Sequence, residues 1–210
     1  IDRDDRTVSA YEVLLGEASV TDAAIATAVP GLSIVPSTMD LLGIEMEIAS
    51  ASDRVFRLRT ALGQPDVRRF SYVIIDCPPS LGKLLFAVLC AADGVVAVTE
   101  PTIDSVGGVS NLEDTIRSVT RRPNPQLSFD KVVISRKRNT GEHTFREQEL
   151  RAAYGDLVAS TSIPELAARQ DAHSAHTPIH KYRGGKSLAL QLAYSDLIDE
   201  LNLTAKETAS

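Results

Sequence analysis

The chain has 210 residues and a formal net charge of −6, with 43% hydrophobic and 24% charged residues. These values are typical of one globular domain, and no apolar run approaches the roughly 20 residues of a membrane-spanning helix. Because the overall balance is acidic, binding to nucleic acid would require a local basic patch. Both cysteines, Cys77 and Cys90, lie inside apolar segments, which favours buried thiols in a reducing compartment.

Helical and extended patterns alternate along the chain, which predicts an α/β fold with a mostly parallel sheet. We expect a single domain over residues 1–210, with a frayed tail over 204–210. The predicted helices cover residues 7–15, 21–28, 40–62, 81–92, 106–119, 142–154 and 187–201. The predicted strands cover residues 32–35, 70–76, 94–99, 131–135 and 157–163.

The segment 70–76 carries the most informative feature of the sequence. Its apolar run ends in a charge at Asp76, and parallel sheets bind ligands at the carboxyl ends of their strands. An apolar strand that ends in aspartate is how P-loop NTPases hold the magnesium ion that bridges nucleotide phosphates. Asp76 is therefore a candidate magnesium ligand; the alternative is an acidic residue that merely ends a strand.

The phosphate-binding loop, the other half of such a nucleotide site, is missing upstream of Asp76. The nearest match is Gly-Gly-Lys-Ser at 184–187, but the first glycine of the motif would fall on His180. Residues 177–182 are too short and too polar for the buried strand that should precede it, so we reject this match. Because the chain begins with Ile1 and not with Met, we expect an N-terminally truncated fragment, or a processed product, of a longer protein.

Several stretches spread over the chain carry a family resemblance. The strongest is Asp-Cys-Pro-Pro-Ser-Leu-Gly at 76–82, followed by Ala-Ala-Asp at 91–93. Further matches lie at 35–45, 57–62, 108–112, 163–164, 171–172 and 177–179. Together they make residues 7–201 resemble the ParA/Soj family of chromosome- and plasmid-partitioning ATPases. The resemblance implies a P-loop NTPase-like fold, with helices on both faces of the sheet.

The resemblance also implies ATP and Mg²⁺ as cofactors and assigns residues to them. Asp76 would serve the magnesium ion through water. The segment that senses ATP against ADP would be Cys77, Pro78, Pro79 and Ser80, with a plain rigid turn as the alternative. The adenine base would lie against Arg136, Ile163, Pro164 and Glu165, with a solvated basic loop as the alternative for 136–138.

The same resemblance implies that the catalytic groups of the family lie outside this chain. The lysines that contact the phosphates and the aspartate that positions the attacking water would precede Ile1. We therefore expect no catalytic residue within the chain and no ATP hydrolysis by the chain alone.

The family resemblance extends to partners. It implies a homodimer that forms around ATP, binds DNA without reading its sequence, and meets a ParB-type centromere-binding protein that stimulates hydrolysis. The DNA surface would comprise Arg169, Lys181, Arg183 and Lys186, with ordinary surface charge as the alternative. The location would be cytoplasmic and nucleoid-associated, without a membrane partner. In agreement, the polar face of the last predicted helix is acidic, whereas membrane-surface helices are basic.

Two other clusters of side chains have plainer interpretations. Three histidines have spacings that suggest a metal site, but a proline interrupts them and no cysteine is near, which favours a surface loop. They are His173, His176 and His180. Three arginines end a predicted helix, where they complement its dipole. They are Arg117, Arg121 and Arg122.

The sequence leaves two competing functions open. One is a degenerate relative that has lost catalysis and acts as a dimerisation or adaptor module. The other is a dinucleotide-binding oxidoreductase, which the sequence disfavours because no G-x-G-x-x-G motif follows any predicted strand.

Overall fold

A computed structural model describes residues 8–38, 41, 43–44, 53–77 and 82–203. The chain forms two compact units, Ile1–Asp93 with Thr115–Leu127 and Gly94–Asp114 with Ser128–Ser210. The expectation of a single domain stays a prediction. The elements are α1 (Ala10–Leu15), α2 (Val20–Ala23), β1 (Ile25–Ala26), β2 (Ser33–Ile34), α3 (Arg57–Leu62), α4 (Lys83–Ala91), β3 (Gly94–Thr99), α5 (Ser105–Thr120), β4 (Ser128–Ile134), α6 (Gly141–Tyr154), α7 (Ala167–Ser174) and α8 (Ser187–Glu200). Short 3₁₀ helices cover Arg54–Phe56, Pro65–Arg69 and Gly155–Leu157.

The first predicted helix is confirmed, and its ends have clear local causes. Ser9 and Glu12 form a capping box that satisfies backbone N–H groups at the start of α1. Gly16 ends the helix in the left-handed conformation, at φ 80°, a conformation that glycine adopts without a steric penalty. The helix buries Val13 and Leu14 in the first unit.

The predicted helix over 21–28 is wrong beyond its first turn. After α2, strand β1 pairs antiparallel with β2, so the strand expected near 32–35 belongs to a hairpin and not to the parallel sheet. The hydroxyl of Thr27 donates to the carbonyl of Leu32 at 2.9 Å, and Gly31 takes φ +80° in the turn. This turn chemistry outweighs the helical spacing of the apolar residues.

The predicted helix over 40–62 is found in part. Among the described residues, its C-terminal end forms the 3₁₀ helix Arg54–Phe56 followed directly by α3, while 45–52 lie outside them. The next predicted helix is confirmed as α4. Leu14, Ile44 and Ala87 form one buried cluster that joins α1 and α4 in this unit.

The predicted strand over 70–76 is wrong. Residues 72–77 run without strand pairing to any described residue. Tyr72, Val73 and Ile74 are exposed at 39%, 48% and 83%, whereas a central parallel strand is buried on both faces. A strand exists only through pairing with a neighbour, so an apolar run alone was an insufficient signal.

The second unit contains the parallel sheet. Strands β3 and β4 pair in parallel from Gly94 opposite Ser128 to Thr99 opposite Ile134, with an irregularity between Val95 and Val96. The predicted strand over 157–163 is found only as single parallel bridges. These join Val132 to Val158 and Lys137 to Pro164.

Helices cover both faces of β4, which confirms the α/β fold class. Val132 and Ile134 pack in one buried cluster with residues of α5 and α6. Val133, between them in sequence, packs in another cluster with residues of α7 and α8, because successive side chains on a strand point to opposite faces. Helix α7 is an addition to the predicted elements.

Within the described ranges, no helix combines the length and apolarity needed to cross a bilayer.

Candidate nucleotide site and basic surface

The residues predicted to frame the base meet in the second unit, where the chain leaves β4. The backbone N–H of Lys137 donates to the carbonyl of Ile163 at 3.0 Å, and that of Glu165 donates to the carbonyl of Lys137 at 2.9 Å. These bonds bring Arg136, Ile163, Pro164 and Glu165 together at the carboxyl edge of the sheet, where open α/β sheets bind ligands. Their contact with adenine stays a prediction.

Arg136 is held between two carboxylates. Its Nη1 lies 2.7 Å from Oε1 of Glu100, and its Nη2 lies 3.0 Å from Oε1 of Glu165. The hydrogen bond from Arg136 is the main reason that the pKa of Glu165 is lowered, and Arg138, 3.1 Å away through Nε, adds to it. Arg136 itself adopts φ 53°. The guanidinium therefore links Glu100 to Glu165, while the backbone of Arg136 itself lies in the left-handed region.

A second ionic cluster lies beneath this loop. Glu147 on α6 is only 8% exposed and pairs with Lys137 and with Nη2 of Arg151, the latter at 2.7 Å. Burial by itself would raise the pKa of Glu147, but the hydrogen bonds from Lys137 and Arg151 outweigh it and lower the pKa. Ser162 also donates to this carboxylate, at 3.2 Å. Sequence reasoning missed Glu147, since a glutamate inside a helix carries no signal of burial.

The candidate magnesium ligand lies in the first unit. Asp76 is exposed, and the half-buried Cys77 beside it donates its thiol hydrogen to the carbonyl of Ile75 at 3.7 Å. Burial, and then the neighbouring Asp76 carboxylate, raise the pKa of the Cys77 thiol. The rest of the predicted switch, Pro78, Pro79 and Ser80, lies outside the described residues.

The arrangement of possible metal ligands limits how many side chains could bind one metal ion. Among the described residues there is no group of three or more histidine, cysteine, aspartate or glutamate side chains that could enclose a metal ion. Magnesium is usually held by one or two carboxylates together with water and substrate phosphates. A single exposed carboxylate such as Asp76 fits that mode of binding.

The predicted basic surface is exposed in the second unit. Arg169 lies on α7, Lys181 and Arg183 lie on the following loop, and Lys186 directly precedes α8. Gln191 fixes this loop through its Nε2, which donates to two loop carbonyls at 2.8 Å each. No strand precedes residues 184–187 within the described part of the loop, so they lack the setting of a phosphate loop.

The histidines and the helix-end arginines occupy surface positions. His173 lies on α7, His176 adopts φ 48° just beyond it, and His180 lies in the loop. All three histidines are exposed. Arg117 lies in the last turn of α5, and Arg121 and Arg122 directly follow the helix, as the dipole argument predicts.

Comparison with known proteins identifies the family. Residues 1–129 match the family model described as AAA domain. The chromosome partitioning protein ParA of Caulobacter vibrioides is 34% identical over 213 residues, which cover 98% of this chain and 79% of that protein. The chain belongs to the ParA/Soj family of partitioning ATPases. The sporulation initiation inhibitor protein Soj of Bacillus subtilis is 32% identical over 87% of this chain and 72% of its own length.

Solved structures of other proteins share the fold of this chain. A single-residue variant of McdA of Cyanothece in complex with ATP superposes with a TM-score of 0.82 at 18% identity, over 96% of this chain and 78% of that one. Cobyrinic acid a,c-diamide synthase of Mycobacterium smegmatis, with bound ADP and magnesium, superposes with a TM-score of 0.73 at 28% identity. That match covers 94% of this chain and 74% of the synthase. The P-loop NTPase-like fold is therefore shown for this ParA/Soj member.

Proposed function

We propose that this ParA/Soj member binds ATP with Mg²⁺ and acts in plasmid or chromosome partitioning in the bacterial cytoplasm, associated with the nucleoid. One observation supports the nucleotide site above the others. The loop after β4 and the segment 163–165 are joined by backbone hydrogen bonds at the carboxyl edge of a parallel sheet. Open α/β sheets bind their ligands at that edge, which supports a nucleotide site there.

Each predicted residue has a role in this proposal. Asp76 holds Mg²⁺ through water, and Cys77 with Pro78–Ser80 senses the nucleotide state. Pro164, which is half-buried, supplies a rigid apolar surface for the base beside Ile163. Arg136 and Glu165 are ion-paired with one another and shape this surface, so their side chains act on the base through the loop.

The partner proposals follow the family and the charge distribution. The protein forms a homodimer when ATP is bound, and Arg169, Lys181, Arg183 and Lys186 contact DNA phosphates without reading the bases. A ParB-type partner stimulates hydrolysis. The exposure of all four cations supports the DNA contact, because phosphate binding requires accessible positive charge.

A second candidate function rests on a feature of the sequence. The 210 residues contain no G-x-x-x-x-G-K-[ST] motif, and a non-catalytic dimerisation or adaptor module is a function that requires none. The ATPase and the adaptor module are separated by measuring phosphate release from ATP. The measurement compares this chain with the product of the complete reading frame. Hydrolysis by the latter alone supports the ATPase, and none by either supports the adaptor module. Equal turnover by both would place catalysis within these residues and contradict our assignment.

Calorimetric titration with ATP, with and without Mg²⁺, tests the nucleotide proposal directly. Asp76→Asn removes the charge that attracts the metal, so we expect the Mg²⁺-dependent gain in affinity to fall about tenfold while Mg²⁺-free binding is unchanged. Asp196→Asn is the matched control, since Asp196 is an exposed aspartate on α8. An unaltered gain in Asp76→Asn would refute the metal assignment, and absence of ATP binding by the unaltered product of the complete reading frame would refute the nucleotide site.

A further inference from the structure

A cavity of about 370 Å³ lies in the second unit, between α7, the loop that follows it and α8. Its volume lies in the range of about 300–1,000 Å³ that small-molecule sites occupy. Its lining residues are Arg169, Ala172, His173, Thr177, Ile179 and Tyr194. Only one of them, Arg169, belongs to the predicted basic surface.

The wall of this cavity offers hydrogen-bond donors and no carboxylate. Arg169 and His173 lie four residues apart on α7, which places them on one face of the helix. Tyr194 reaches the cavity from α8. In the part of the chain that the structure describes, the side chains of these three residues make neither hydrogen bonds nor ion pairs with protein groups.

Local hydrogen bonds hold the cavity open. The backbone N–H of Thr177 donates to the carbonyl of Ala172 at 2.9 Å, which turns the chain back at the end of α7. Gln191 donates to the carbonyls of Ile179 and Tyr182, both at 2.8 Å, which ties the loop to α8. These bonds fix the backbone of the loop that lines the cavity, so little ordering of the loop accompanies binding.

We propose that this cavity binds a phosphate group, with the Arg169 guanidinium, the His173 imidazole and the Tyr194 hydroxyl as donors. A guanidinium matches a phosphate with two parallel hydrogen bonds, and the other two groups add donors around the same oxyanion. Ala172 and Ile179 form the apolar part of the lining.

The phosphate source that the surroundings favour is the DNA backbone. Lys181, Arg183 and Lys186 follow on the same loop and are exposed, so a polymer of phosphates has further charges to contact. This assignment rests on the proposed DNA binding, whereas the phosphate cavity itself would equally accept a free phosphate ester. His173 and Tyr194 thereby join the basic surface, and Arg169 gains a defined ligand, a phosphate oxygen.

Fluorescence anisotropy of a labelled duplex of arbitrary sequence, with ATP and Mg²⁺ present, tests the proposal. We expect Arg169→Ala to weaken binding about tenfold and to reduce the salt dependence by about one phosphate contact. His173→Ala and Tyr194→Phe should each weaken it about threefold; the phenylalanine keeps the ring that packs against the buried cluster containing Leu190. The matched controls, Arg122→Ala and His180→Ala, remove exposed side chains outside the cavity and should change the affinity by less than about twofold.

Titration with inorganic phosphate, followed by the NMR signals of the histidines, separates the sources. Loss of phosphate binding in the cavity variants with unchanged DNA affinity assigns the cavity to a free phosphate ester. Unchanged binding of both ligands overturns the cavity proposal, and DNA binding itself then stands if Lys181→Ala and Arg183→Ala still weaken it. If the unaltered protein binds no DNA, the proposed DNA contact fails and the phosphate titration alone decides the cavity.

Discussion

The carboxylate of Glu200, at the end of α8, accepts a hydrogen bond from the backbone N–H of Ser160 at 2.8 Å. It also accepts one from the hydroxyl of Ser160 at 2.9 Å and one from the N–H of Thr161 at 3.2 Å. The ammonium of Lys131, on β4, lies 3.4 Å away. A single carboxylate therefore ties the last helix to the segment that runs beside β4.

This carboxylate predicts a specific dependence of stability on pH. Burial alone would raise the pKa of Glu200, but the hydrogen bonds from Ser160 and Thr161 outweigh it and lower the pKa from 4.5 to about 2. Because the folded state has the lower pKa, the stabilisation is complete above the unfolded value and is lost as the pH falls through about 2. We expect Glu200→Gln to lower the free energy of unfolding by about 1 kcal/mol near neutral pH.

Urea unfolding of both proteins between about pH 7 and pH 2 checks this. The difference between Glu200→Gln and the unaltered protein should shrink as the pH falls below about 4. Asp199→Asn removes an exposed charge from the same turn and should show no such trend. A difference that is constant over the whole range would contradict the assignment.

The buried ionic cluster around Glu147 predicts a larger effect. Glu147→Ala leaves Lys137 and Arg151 without their carboxylate, and we expect a loss of about 2–3 kcal/mol in the free energy of unfolding. Gln148→Ala, an exposed neighbour on α6, should stay within about 0.5 kcal/mol. A double-mutant cycle with Arg151→Ala isolates the pair, and a coupling free energy near zero would show that the contact does not stabilise the fold.

Two leucines on α8 form a matched pair for the core beside β4. Leu190 is fully buried, whereas Leu188 is 65% exposed. Leu190→Ala should cost about 2–5 kcal/mol, because it removes buried methyl groups and leaves a void. Leu188→Ala should cost less than about 0.5 kcal/mol. Thermal unfolding compares them, and similar losses would place Leu190 outside the core.

Asn124 donates hydrogen bonds to the backbone carbonyls at the end of α4 in the first unit. Its Nδ2 donates to the carbonyls of Leu89 at 3.0 Å and Ala92 at 2.7 Å, and the residue is only 5% exposed. Asn124→Ala removes both donors, so we expect a loss of about 1–3 kcal/mol in denaturant unfolding. Asn139→Ala, at an exposed position, is the control. An equal effect at both sites would rule out a role for these hydrogen bonds.

The elements that were predicted correctly are those whose signal is local. The glycine stop at Gly16 after α1, the apolar run of β3 and the periodic stripe of α5 each lie within a short window of sequence. The meeting of Arg136 with Pro164 was also foreseeable, because parallel strands bring their carboxyl ends to one edge. Family-specific residues such as those at 76–82 then identified the chain.

Pairing and charge partners, by contrast, depend on residues far apart in sequence. The apolar run that ends in Asp76 has the composition of a buried strand, yet Ile74 is 83% exposed. Composition does not reveal whether a segment has the hydrogen-bonded neighbour that a strand requires. Arg136 meets Glu100 across 36 positions, and Ser160 meets Glu200 across 40. Composition and periodicity determined which segments of this protein could form helices and strands. The tertiary structure alone decided which of them pair and which charges are neutralised, since hydrogen bonding and ion pairing act over a few ångströms of space and not along the chain.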